Sequence, residues 1–330
     1  MKYFKLYEEF GHQGKYDKAA KRIADIYLKN IDSLPKMKQQ HFLSRLEVVY
    51  KKRFDNDKLE EAGRWLANKT EERFRIYQED PSPSYDTFIA SRVENNADPK
   101  SKSNGNEWMK SMGKKGFEFL AYLEILKHLN IVKRLRCEKF LTIKSEIEEW
   151  LIANFEKALD FVMKNPEAFL NVPVQSVNIF YYMKTLNLIN RDVMDEKEKH
   201  FLSKLRSTYG STEDMNDIEF HNYLYAITHI IIGESWFYEN LLPTYKVKYG
   251  WIIDSFDKNY DRILEYTDDI IAEIGVVYLI CLENNKAEKY RSFIYDKISK
   301  YGWILPLDGK LDYNKSEHTN ILAIMLLHGI

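Results

Sequence analysis

A chain of 330 residues carries 49 basic and 50 acidic side chains, for a formal net charge of −1. That balance argues against a nucleic-acid or anionic-membrane binder, which would show a basic patch or excess. Hydrophobic residues make up 45%, and only 13 glycines and 8 prolines interrupt them, which favours long helices over a turn-rich β fold.

The N-terminal stretch MKYFKLYEEFGHQGKYDKAA lacks the apolar core of a signal peptide. No segment holds about 18 uninterrupted apolar residues, so no membrane span is expected. Cys137 and Cys281 stand far apart, without disulfide, redox or metal-ligand spacing. The expectation is a cytoplasmic protein without cofactor or metal.

From there two kinds of helix alternate. One kind is amphipathic, with charges between apolar positions at helical spacing: 15–31, 58–78, 144–165, 195–207, 251–266 and 287–302. The other is apolar nearly all round: 115–132, 174–190, 220–238, 268–284 and 318–330, with the more charged 36–54 as a first member. A helix apolar on every side is buried on every side. The last four begin near 175, 220, 269 and 318, steps of 45, 49 and 49 residues, which reads as a repeat of one outer and one inner helix. An open stack would leave its inner layer exposed. The expected fold is therefore all-α, an α/α toroid of about six outer–inner pairs closing into a ring, as a single domain over 1–330. Residues 80–114 form the longest polar interruption, either a lid or, the favoured reading, an insertion.

The segments FHNYLYAITHIIIG, DDIIAEIGVVYLICL and EHTNILAIMLL resemble an uncharacterised bacterial domain family with an α/α-toroid-like fold. The resemblance covers roughly residues 170–330. It implies the toroid and brings no activity, because none is assigned to that family; fold analogy does not choose one.

Loops that run from outer to inner helix are the longer ones: 79–114, 166–173, 208–219 and 303–317. They gather at the N-termini of the inner helices, where free N–H groups and positive dipole ends suit a polar ligand. The side chains there are Gln175 and Asn178, Glu219, His221 and Tyr225, Asp268, Asp269 and Glu273, then Glu317, His318 and Asn320. His221, Tyr225 and His229 follow at four-residue intervals on one stripe. Histidines with carboxylates suit general acid–base chemistry, so His221, Glu273, His318 and Asp269 are the candidate catalytic residues. Gln175, Asn178, Tyr225, Glu317 and Asn320 are candidate ligand contacts, with Trp303 as an aromatic platform. Against this, Asp268, Asp269 and Glu317 also read as helix caps, and His229 reads as a core histidine. His12, His41, His128 and His200 sit among charges and read as surface. DDIIAE resembles the acid motif of terpenoid synthases, but the second metal motif is missing. P-loop, dinucleotide and nucleophile-elbow motifs are absent as well. Two functions stand: an enzyme on a small polar or carbohydrate-like substrate, or a non-catalytic toroid that binds a peptide, a small ligand or a protein partner.

Overall fold

The computed structural model describes residues 14–79 and 102–330. Among these residues all regular structure is helical, with no strand. Most of the predicted 80–114 interruption lies outside the described residues; its end is helical, in Lys102–Ser111 and the start of Gly113–Arg134. The chain divides into two compact units, residues 63–234 and residues 1–62 with 235–330.

In the 63–234 unit the inner layer is Gly113–Arg134, Pro173–Leu186 and Asp217–Glu234, with Pro173–Leu186 between the other two. Lys144–Lys164 packs on the first two, and Arg191–Tyr209 packs on Pro173–Leu186 and the short Glu167–Asn171. In the other unit Tyr313–His328 lies between Lys36–Tyr50 and Asp268–Ile280. Lys15–Lys29 packs on Tyr313–His328, and Asn284–Asp296 folds back on Asp268–Ile280. Tyr245–Lys258 and the single turn Tyr260–Ile263 also belong to this unit.

Burial separates the two kinds of helix as the patterning predicts. Asn284–Asp296 buries only Ala287, Tyr290 and Ile294, one stripe of an outer helix. Asp268–Ile280 buries every residue from Ile270 onward. In Asp217–Glu234 everything from Phe220 to Gly233 is buried except Tyr225 and His229, which share a stripe. Leu224, Ile227, Ile231, Ile271, Val276, Leu279, Ile324 and Leu327 are all core.

Local chemistry sets the helix ends. Asn216 Oδ1 accepts from the amides of Ile218 (2.9 Å) and Glu219 (3.0 Å), and Glu219 Oε2 accepts from Asn216 N at 3.0 Å. This reciprocal cap starts Asp217–Glu234 and gives Glu219 a structural role. Asp312 Oδ1 accepts from Lys315 N at 3.1 Å, so the last helix starts five residues before the predicted 318. The predicted 220–238 helix instead stops at Glu234, because residues 236–238 turn left-handed.

Inner helices touch closely where glycine permits it. A Cβ on Gly233 would lie 2.4 Å from the Cβ and Cγ of Tyr181 on the neighbouring inner helix. Tyr181 is fully buried and its hydroxyl is held by Glu198, so it cannot yield. Gly233→Ala is expected to cost about 1–3 kcal/mol through overpacking, although alanine is the better helix former. A urea melt at or above the wild-type midpoint would show that the two helices part without penalty.

Candidate functional site

Three inner helices of the unit formed by 1–62 and 235–330 present their second turns to one another. The sixth residue of each is polar: His41 in Lys36–Tyr50, Glu273 in Asp268–Ile280 and His318 in Tyr313–His328. Equal depth brings them together. His318 Nε2 lies 3.8 Å from Asp269 Oδ2 and 3.9 Å from Glu273 Oε2. The His41 and His318 ring centroids are 5.4 Å apart. His41 Nδ1 donates to Glu317 Oε1 at 2.8 Å. Thr319 Oγ1 donates to Asp269 Oδ1 at 3.0 Å and orients that carboxylate.

Exposure ranks these groups. The His318 side chain is 44% exposed and that of His41 29%, whereas Glu273 and Glu317 show 1% and 2%. Buried carboxylates thus stand behind solvent-reached imidazoles. Burial alone would raise the Glu317 carboxyl, but the His41 ring, then His318 and Lys38, outweigh it and hold it below the usual range. Glu317 is therefore ionised at neutral pH, and its stabilising contribution is lost as pH falls below the ordinary value near 4.5. With Nδ1–H committed to Glu317, the neutral His41 ring presents Nε2 as a proton acceptor.

Of the predicted residues, Asp269, Glu273, Glu317 and His318 meet here. His41, read from sequence as a surface residue, is corrected to a member of this cluster. Its depth in the first inner helix was the available signal, and the high charge of that helix hid it. Two others turn inward. Asn320 is fully buried, with Nδ2 donating to Ile304 O (2.7 Å) and Ser316 O (2.9 Å) and Oδ1 accepting from Ile304 N (2.9 Å). Trp303 is 1% exposed, stacked on Tyr313 at 4.8 Å and edge-on to Tyr27 at 5.9 Å. Its ring faces belong to the core.

Gln175, Asn178, His221 and Tyr225 belong to the 63–234 unit. Asn178, also sixth in its helix, accepts at Oδ1 from His229 Nδ1 at 3.0 Å. His221 is 8% exposed and packs edge-on to Tyr225 at 4.9 Å, while Gln175 is half-buried in the first turn. His128, read as surface, is corrected to a core residue, 6% exposed; burial pushes its ring down to about 3. His200 is exposed, as expected, and His12 lies outside the described residues.

Sequence reading also missed a buried ion cluster in this unit. Lys184 Nζ sits 2.6 Å from both Glu198 Oε2 and Glu234 Oε2, and Glu198 is fully buried. Its members are far apart in sequence and each looks like an ordinary helix charge. A groove of about 370 Å³ runs along Trp65, Asn68, Lys69, Glu72 and Arg73. Its lining carries neither histidine nor cysteine, so it is not the better site for acid–base chemistry. Among the described residues, no three His, Cys, Asp or Glu side chains are placed to hold a metal ion, and no helix is long and apolar enough to cross a membrane.

No curated protein and no solved structure matches the chain. A family model does, over residues 16–329, and by that match the chain belongs to the family described as Domain of unknown function (DUF3541).

Proposed function

We propose that the His41–Glu317–His318–Asp269–Glu273 cluster is an acid–base site acting on a small polar or carbohydrate-like substrate. One observation carries it: two imidazoles 5.4 Å apart, one hydrogen-bonded to a buried carboxylate and the other beside a second. His318, the more exposed, exchanges a proton with the substrate, with the Asp269 and Glu273 carboxyl groups beside it. Glu317 fixes the His41 tautomer, so that Nε2 serves as the second proton acceptor. Hydroxyl-rich substrates suit the cluster because its carboxylates accept and its imidazoles both accept and donate.

The test is release of nitrophenol from a panel of nitrophenyl glycosides, with saturation-transfer NMR on the free sugars. His318→Ala and Glu273→Gln should each lower turnover by about 10²–10⁴-fold. The melting temperature of His318→Ala should stay within a few degrees, because a half-exposed side chain carries little stability. Binding that His318→Ala abolishes, without turnover in the wild type, would make the site a binding module. A panel that neither binds nor reacts, or variants with full activity, would refute the reading.

We also infer that the outer–inner pairs close into an α/α toroid. The 45–49-residue alternation supports it. So does the packing of the first inner helix, Lys36–Tyr50, beside the last, Tyr313–His328, as a closed succession requires. A crystal structure with an open solenoid would overturn it.

A further inference from the structure

Helix Asp217–Glu234 is followed by three residues in the left-handed region: Trp236 (φ +56°), Phe237 (+56°) and Tyr238 (+79°). None is glycine. Each crowds its Cβ against the backbone, and bulky residues in succession in this region are strained. The surrounding contacts show what imposes the conformation. Arg45 Nη1 donates to Phe237 O at 2.6 Å, and its guanidinium lies 4.5 Å from the centre of the Tyr238 ring. Ser235 closes the turn: its Oγ accepts from Tyr238 N at 3.0 Å and its carbonyl from Asn240 N at 2.9 Å. Arg45, Phe237 and Tyr238 are buried, whereas Trp236 is 48% exposed.

We propose that residues 235–240 form a strained conformational latch. Arg45 holds it in the left-handed form, and withdrawal of that contact lets the backbone relax and carries Trp236 with it. Burial strengthens the Arg45 bond, because a charged donor in a low-dielectric setting binds a carbonyl more strongly than a neutral one does. The same burial makes the bond decisive. Once the guanidinium leaves, the Phe237 carbonyl has lost its charged donor, and the strained turn has lost the restraint that Arg45 adds to the Ser235 bonds. Arg45 lies one helical turn after His41, so its side chain shares a helix face with the proposed site. That placement couples the latch to the proposed site, and the coupling alone rests on that reading.

Native-state hydrogen exchange on the full chain tests the latch without any ligand. The reporters are the amides of Tyr238 and Asn240, with those of Asp268–Ile280 as reference. Arg45→Met should speed exchange at both reporters at least tenfold while the reference stays slow; unchanged rates would overturn the latch. If that variant unfolds, Trp236→Gly decides. Glycine adopts the left-handed region without penalty, so exchange at the reporters should slow at least threefold. Faster exchange would mean that the turn is unstrained, and the proposal fails. His41→Gln should change the reporter rates at least threefold in either direction. Unchanged rates would sever the latch from the site and leave the acid–base reading to its own test.

Discussion

Replacing Lys184 with methionine is expected to lower the unfolding free energy by about 3–5 kcal/mol, the usual cost of removing one partner from a buried ion pair. The lysine ammonium lies 2.6 Å from carboxylate oxygens of Glu198 and Glu234 and 3.4 Å from Asp195. Glu198 is wholly buried, and its other oxygen accepts from Tyr181 OH at 2.9 Å. Methionine matches the apolar stem of lysine closely, so packing is kept and the loss reports the charge. What remains is a carboxylate in the interior that has lost its ammonium partner, with the neutral Tyr181 hydroxyl still donating to it. The double variant Lys184→Met, Glu198→Met should recover most of the loss, because apolar residues of similar volume replace a buried pair with little penalty. The pH dependence has a definite sign. Burial alone would lower the Lys184 value, but Glu198 and Glu234 outweigh it and raise it above 10.5. A raised lysine contributes stability that is complete below the unfolded value and lost as pH climbs through the folded one. The gap between wild type and Lys184→Met should therefore hold steady from neutral pH to near 10.5 and narrow only above it. A gap under about 1 kcal/mol at neutral pH would mean that Glu198 finds water or a proton when the lysine leaves.

The inner and outer helices were legible because their signal is additive. Apolar residues on every face of Asp268–Ile280 and on one stripe of Asn284–Asp296 separate the two kinds before any contact is known. The meeting of Asp269, Glu273, Glu317 and His318 was legible for a related reason, since depth can be counted from a helix start, although the last helix starts five residues before the predicted 318 and so puts His318 sixth rather than first. His41 follows the same count, but Lys36, Lys38 and Arg45 on its helix make that helix look solvent-facing. Burial of Arg45 comes from the Phe237 carbonyl and the Tyr238 ring, far away in sequence. Lys184, Glu198 and Glu234 were hidden in the same way, because a pair spanning two helices leaves no spacing to read. The left-handed turn carried a misleading signal. Helical periodicity continues through Trp236, Phe237 and Tyr238, and without a glycine nothing local announces a positive φ. Trp303 had only its loop position to go by, and the core formed by Tyr27 and Tyr313 claims the ring.

Asn320→Ala separates a ligand contact from a structural clamp. A ligand contact at a helix mouth would leave the melting curve near wild type and abolish binding. The observed geometry gives the opposite expectation, a loss of about 2–6 kcal/mol: two buried backbone groups are orphaned, each worth about 1–3 kcal/mol. Those groups are the N–H and C=O of Ile304, itself 2% exposed, which bond the Asn320 amide at 2.9 and 2.7 Å. The amide thus acts as a backbone surrogate that fastens the 303–304 segment to the last inner helix. Asn320→Asp sharpens the test, because it keeps the acceptor for Ile304 N but turns a carboxylate toward the carbonyls of Ile304 and Ser316. That carboxyl is buried and faces acceptors, so its folded value rises above the unfolded one. The penalty should be small at a pH below the ordinary aspartate value, where the acid donates to Ile304 O, and should grow as pH rises through the folded value. Urea melts at pH 3 and pH 7 on both variants would show it. If Asn320→Ala melts with the wild type at both, the clamp is wrong and Asn320 returns to the ligand contacts.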